Sequence, residues 1–239
     1  MIWNKKFDYP ATMRSLVDGK RHYDIKQEKL PSVTTILSAT QSEEKRKSLA
    51  NWRARMGPQY ADRVRDVSAM RGTSMHTYLE GHIKGERHLD LTSLGKEAGK
   101  MANVVIESGL GDLGEVWGTE VTLYYPGLYA GQTDVVGLYG GQEAIIDFKQ
   151  TNKPKQREWI DDYFSQLAAY AMAHNYVYGT NIQSGIILMC SKDCFFQKFE
   201  TSGKEFQGYM HTFLKKVDQY YANCTKNEKS QDTKNDQKV

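Results

Sequence analysis

The chain has 239 residues, of which 39% are hydrophobic and 26% charged, and its formal net charge is +3. That length and apolar content suit one elaborated domain with a buried core, and the mild charge excludes any identification of a nucleic-acid binder from charge alone. No stretch approaches the roughly 18 apolar residues of a membrane span, and the start, Met1-Ile2-Trp3-Asn4-Lys5-Lys6, lacks the apolar centre of a signal peptide. A cytosolic protein without a membrane partner is expected, or one made inside an infected cell.

In chain order the pattern predicts an extended region to about residue 37, then helices over 42–55, 59–84 and 95–108. Strands over 116–125, 129–139 and 143–149 follow as an antiparallel meander. A helix over 156–178 crosses to a strand over 182–190, which the handedness rule places parallel to an earlier strand. A strand over 195–200 and a helix over 204–221 close an α/β domain with a mixed sheet. The domain is expected to span 1–222, with an extension to residue 66 and a core over 67–222. Residues 223–239 are polar and charged, and no regular structure is expected there. Cys190, Cys194 and Cys224 are an odd count in a chain with no export signal, so a disulfide framework is not expected.

The most informative residues are Gly131-Gln132-Thr133-Asp134 and Ile145-Ile146-Asp147-Phe148-Lys149. Strand side chains alternate, so Asp147 and Lys149 share a face and Phe148 takes the other. The Gly-rich stretch 138–142 reads as a hairpin turn that brings Asp134 beside Asp147. Adjacent carboxylates repel unless a cation separates them, and hard oxygen ligands favour Mg²⁺ or Mn²⁺. A lysine on that face completes the equipment of metal-dependent phosphodiester hydrolysis, although a surface Asp/Lys ion pair is the simpler reading of the spacing alone.

Further along the same lines, His76 and Glu80 share a helix face, and Gly72 permits a close approach four residues before His76. Gln166 and Tyr170 align on a later helix. Glu120, in an apolar run, is either a further acid near the site or a solvated strand residue. Over 45–65, seven basic residues including Arg53 interleave with Trp52 and Tyr60. This is either a solvated face or a strip on which bases stack, at about 1 to 3 kcal/mol per base.

Taken in order, Gly72 to His76, Gly131 to Asp134, Asp147 to Lys149 and Gln166 to Tyr170 match the GxxxH, GxxD, DxK and QxxxY motifs. The chain thereby resembles the RecB-type branch of the PD-(D/E)xK nuclease superfamily. Its front end, with Arg21-His22-Tyr23, the segment Leu30-Pro31-Ser32-Val33-Thr34-Thr35-Ile36-Leu37, Trp52, Arg53 and Arg71-Gly72-Thr73, resembles the group of the mitochondrial genome maintenance exonuclease and its bacteriophage relatives. The residues 31–37 can equally be a helix entry capped by Ser32 or Thr34.

The resemblance implies a restriction-endonuclease-like αβββαβ core with an N-terminal helical extension. It implies a metal-dependent DNA exonuclease working from free ends of single-stranded DNA in phage or organelle-like replication, recombination or repair. Asp134, Asp147, His76 and the Phe148 main-chain carbonyl would hold one or two Mg²⁺ or Mn²⁺ ions, and Lys149 would assist hydrolysis. DNA contacts would come from Gln166, Tyr170, Arg71, Gly72, Thr73, Trp52, Arg53, Ser32 and Thr34, with Glu80 and Glu120 as candidate additional acids. Three cysteines cannot supply the iron-sulfur cluster of Cas4-like relatives. A monomer in a bacterial or phage-infected cytoplasm is expected. The alternatives are a structure-specific endonuclease and a DNA-binding module without turnover.

Overall fold

Two adjacent isoleucines divide the molecule: Ile145 enters one hydrophobic cluster and Ile146 the other, because a strand sends successive side chains to opposite faces. The computed structural model describes the backbone of residues 1–236 and the side chains of residues 1–226. From the N-terminus, β1 (Ile2–Trp3), β2 (Met13–Val17), β3 (Lys20–Ile25) and β4 (Glu28–Pro31) precede α1 (Val33–Ala39), α2 (Glu43–Met56), α3 (Pro58–Lys84) and α4 (Ser93–Gly109). The meander β5 (Leu113–Tyr125), β6 (Tyr129–Tyr139) and β7 (Gln142–Thr151) follows. Helix α5 (Asp161–Tyr178) then crosses to β8 (Ser184–Ser191), and β9 (Phe196–Ser202) and α6 (Gly203–Asp236) complete the order.

The main sheet runs β1-β5-β6-β7-β8-β9, with β7 and β8 parallel as the crossover rule requires. The fold is α/β with a mixed sheet, and the order from α4 to β8 is αβββαβ, with α3 as a further helix before it. Val33 and Ile36 of α1, Phe164 and Leu167 of α5, and Phe213 of α6 cover one face. Met75 and Leu79 of α3 and Met101 and Val105 of α4 cover the other. On α3, Arg71, Met75 and Leu79 recur every four residues as one buried stripe.

Three expectations need correction. The N-terminal region is not simply extended to residue 37: β2, β3 and β4 form an antiparallel sheet of their own, and α1 begins at Val33. Both its turns are two-residue links with positive φ, at Asp18 (50°) and Gly19 (71°), and at Lys26 (44°) and Gln27 (69°). That backbone matches the right-handed twist of paired strands. The crossover helix starts at Asp161, after a 3₁₀ turn over Arg157–Trp159 that ends on the buried Ile160. Helix α6 carries helical backbone to Asp236, where no regular structure was expected for residues 223–236. No Gly or Pro follows Gly208, and extending a formed helix avoids the cost of nucleation. Residues 237–239 lie outside the described residues.

The far end of the sheet is locked by a buried imidazole. The rings of Phe7, Tyr9, Trp117 and Tyr178 lie 4.7 to 6.0 Å from that of His174. Its two nitrogens meet Tyr9 Oη at 3.0 Å and Thr180 Oγ1 at 2.7 Å. Burial, assisted by the nearby Lys6 charge, pushes His174 down to about 4. The folded state therefore refuses a proton that the unfolded chain accepts near pH 6.5, and stability drains away as pH falls between these values. Other groups titrate in the same window, so the contribution is isolated by difference. The stability advantage of wild type over His174→Gln in urea unfolding should shrink by about 3 kcal/mol between pH 7 and pH 4; an unchanged difference would clear His174.

Candidate active site

Strands β6 and β7 pair from Tyr139↔Gln142 to Val135↔Ile146 and no further. The turn between them is Gly140-Gly141, at φ 56° and 80°, the conformation a two-residue hairpin link demands. Past Val135, β6 stays with β5 while β7 continues along β8 to Thr151↔Ser191. The strands therefore part at Asp134 and Asp147. In the opening, Phe148 N–H donates to Asp134 Oδ2 at 2.6 Å, a carboxylate standing where a strand carbonyl would otherwise accept. The Phe148 carbonyl lies on that same side of the strand.

His76 approaches the fork from α3. Its Nδ1 is 3.3 Å from Asp134 Oδ1 and 3.9 Å from Glu120 Oε1. One ligand atom from each of His76, Glu120 and Asp134 lies within 4.8 Å of the other two. Glu120 sits in β5 with φ at 51°, a strained conformation for a residue with a side chain, and its carbonyl accepts from Gln132 Nε2 at 2.7 Å. Asp147, 2% exposed, shares the cavity, and its Oδ2 touches the Lys149 ammonium without hydrogen-bond alignment. Gln132 Oε1 is also buried with no hydrogen-bond donor. A nitrogen, three carboxylates and a buried amide oxygen that accepts no hydrogen bond among the described residues form, in one cavity, a donor set that fits a hard divalent cation. The residues that could hold such an ion are thus His76, Glu120 and Asp134, with Asp147 beside them and engaged by Lys149.

The charges depend on one another. Burial alone would lower His76, but Asp134, Glu120 and Asp147 outweigh it and push His76 up to about 10. Burial likewise works against the Asp134 carboxylate, and the imidazolium and the Lys149 charge overcome it and hold Asp134 below its ordinary range. Asp147 goes the other way: burial and the neighbouring Asp134 raise it to about 6 against the pull of Lys149. Lys149 overcomes its own burial through Asp147 and Asp134 and stays a firm ammonium.

A cavity of about 190 Å³ leads to these groups. Gln166 and Tyr170 of α5 form one wall, with Gln166 Nε2 donating to Tyr170 Oη at 3.0 Å. Arg14, Arg21 and Tyr23 of the small N-terminal sheet line another, with Ser32 and Thr34. Ser32 Oγ caps α1 by accepting from Thr35 N–H at 2.9 Å. Arg14 carries no motif or periodicity that would have revealed it; the Asp18-Gly19 turn was the available signal for the hairpin that delivers it.

Other expected contacts are not brought here. Arg71 is 2% exposed and its guanidinium donates to Gln150 and Glu97 inside the protein rather than lining this cavity. Gly72 faces Gln150, and Thr73 is exposed on α3. Glu80 pairs with Lys84. Arg53 forms a two-armed pair with Asp62, and Trp52 lines a separate cleft with Trp159 and Tyr163. Tyr163, which the sequence did not mark, links that cleft to the site, since its ring lies 5.0 Å from Lys149 Nζ.

Gly131 is required by its neighbour: a Cβ there would lie 2.5 Å from Tyr170 Cε1. Gly131→Ala should destabilise the fold by about 1 to 3 kcal/mol through overpacking, measured by urea unfolding. Adding Tyr170→Ala should restore most of that loss; no restoration would mean the clash lies elsewhere.

No family model matches the chain. Over 194 residues it is 28% identical to mitochondrial genome maintenance exonuclease 1 of Mus musculus, covering 73% of this chain and 56% of the mouse protein. It is also 28% identical to the Homo sapiens protein of that name over 177 residues, 69% of this chain and 50% of the human one. The chain spans about half the length of the curated relatives it matches. A solved structure from Eubacterium rectale, described as a candidate exonuclease, aligns with a TM-score of 0.46 at 14% identity over 62% of this chain and 63% of that one. The chain is therefore similar, over about seven tenths of its length, to mitochondrial genome maintenance exonuclease 1, in the group that its motifs resemble.

Proposed function

We propose that this protein is a divalent-metal-dependent deoxyribonuclease that removes nucleotides from a free end of single-stranded DNA. The observation that carries the reading is the meeting of His76, Glu120 and Asp134 beside the Asp147–Lys149 pair where β6 and β7 part. The four ordered motifs and the exonuclease relatives support it from the sequence side.

His76, Glu120 and Asp134, with Asp147 and the Phe148 carbonyl adjoining, would hold Mg²⁺ or Mn²⁺. Such an ion supplies a water of lowered pKa and offsets charge building on the phosphate. Lys149 works as a cation: held by Asp147, its ammonium stabilises negative charge on the phosphoryl oxygens, and its raised pKa makes it a poor base. Tyr170 accepts from Gln166 through its oxygen and keeps its proton, because burial holds the phenol far above its ordinary range. That O–H is free to donate to a strand in the cavity. Arg14 and Arg21 add positive charge at the wall.

End-labelled linear and circular single-stranded oligonucleotides with Mn²⁺ or Mg²⁺ test the reading. Linear DNA should yield a ladder from one end and circles should survive; cleavage of circles would make the protein an endonuclease. Lys149→Ala should cut roughly 100-fold or more slowly with DNA affinity nearly unchanged.

Ion uptake should carry a proton signature. His76 is protonated near neutrality and must lose its proton to become a ligand. Calorimetry of Mn²⁺ binding at pH 7 in buffers of different ionisation enthalpy should report release of about one proton, absent in His76→Ala. Binding without proton release would remove His76 from the ligand set.

A further inference from the structure

The Arg71 guanidinium is a three-way joint. Its Nε donates to Gln150 Oε1 at 2.9 Å, its Nη1 to Glu97 Oε1 at 2.8 Å, and its Nη2 to Asn152 Oδ1. Gln150 is the neighbour of Lys149 on β7, and Asn152 follows that strand's end. Both amides return the contact to α3, Gln150 Nε2 donating to Ser68 O at 2.9 Å and Asn152 Nδ2 to Ser68 Oγ at 3.2 Å. Gly72 closes the joint, since a Cβ there would lie 3.3 Å from Gln150 Cγ.

We infer that Arg71 is a positioning residue that fixes α3, and with it His76, against the end of β7 that carries Lys149. This rests on the site proposed above. His76 lies five residues, about 7.5 Å of helix rise, beyond Arg71. The contacts that seat α3 on the sheet, Met75 and Leu79 among Ile146 and Phe148, are apolar and non-directional, so they allow small slides. A planar fork with three fixed partners does not. An error of an ångström at this joint would move the His76 nitrogen relative to Glu120 and Asp134 and the Lys149 ammonium relative to Asp147. The buried charge has one carboxylate partner, Glu97, and so it favours register more than stability.

Arg71→Lys keeps the charge and cannot reproduce the fork. Three quantities test it on the full chain: affinity for Mn²⁺ alone by calorimetry, kcat and KM on a linear single strand, and the salt dependence of DNA binding. Lost positioning should weaken Mn²⁺ binding and lower kcat by about 10- to 100-fold each, with KM and the salt slope unchanged. Wild-type Mn²⁺ affinity in the variant would overturn the inference. So would a salt slope reduced by about one, the signature of a phosphate contact. If Arg71→Lys does not fold, Gln150→Ala with Asn152→Ala carries the same test, because the pair leaves the Arg71–Glu97 contact in place and removes both amides that tie Arg71 to the end of β7. Wild-type protein that binds Mn²⁺ without cutting DNA would end the nuclease reading and leave the clamp standing; no Mn²⁺ uptake by wild type would end both.

Discussion

One hydrogen bond organises the site: the Asp134 carboxylate accepting from Phe148 N–H at the point where β6 and β7 part. A strand that leaves its neighbour exposes backbone donors, and a buried unpaired N–H costs about 1 to 3 kcal/mol. By taking that donor, Asp134 holds the fork open and is itself fixed with its second oxygen facing His76. Structural need and chemical use meet in the same side chain. Three carboxylates and two cationic groups then share a small volume, and the arrangement persists only because each charge is set against another.

What the sequence disclosed was what two-residue periodicity and turn chemistry govern. The Asp147/Lys149 face follows from strand alternation, and Gly140-Gly141 revealed the hairpin that sets Asp134 near Asp147. The meander was legible for the same reason, and the long helices from apolar residues recurring every three or four positions. Glu120 was harder: nothing in Thr119-Glu120-Val121 marks the positive φ that turns its carboxylate toward His76, because that conformation is imposed by its neighbours in the sheet. Arg14 was out of reach, since its place depends on how the N-terminal sheet docks across the fork.

Arg71 shows how a motif and a burial pattern can point to different roles. Placed in a motif with Gly72 and His76, it invited a DNA-binding role, yet it lies on the stripe with Met75 and Leu79 that the same helical periodicity marks as buried. Where a motif and a burial pattern disagree about a charged residue, the pattern speaks to solvent access and the motif only to association. A guanidinium that faces the interior must find partners there, and Glu97, Gln150 and Asn152 are those partners.

The N-terminal sheet gives the fork its shape. Its residues line the cavity that Asp147 shares, and burial is the first of the causes that raise Asp147 to about 6. Tyr23, Ser32 and the two arginines wall the cavity on one side and the Gln166–Tyr170 pair on the other. Gly131 lets Tyr170 come this close, so the glycine of one motif serves the tyrosine of another. The four motifs are therefore parts of a single packed unit. Opposing charge sets the distances among its acids, and close contact with aromatic rings sets its walls.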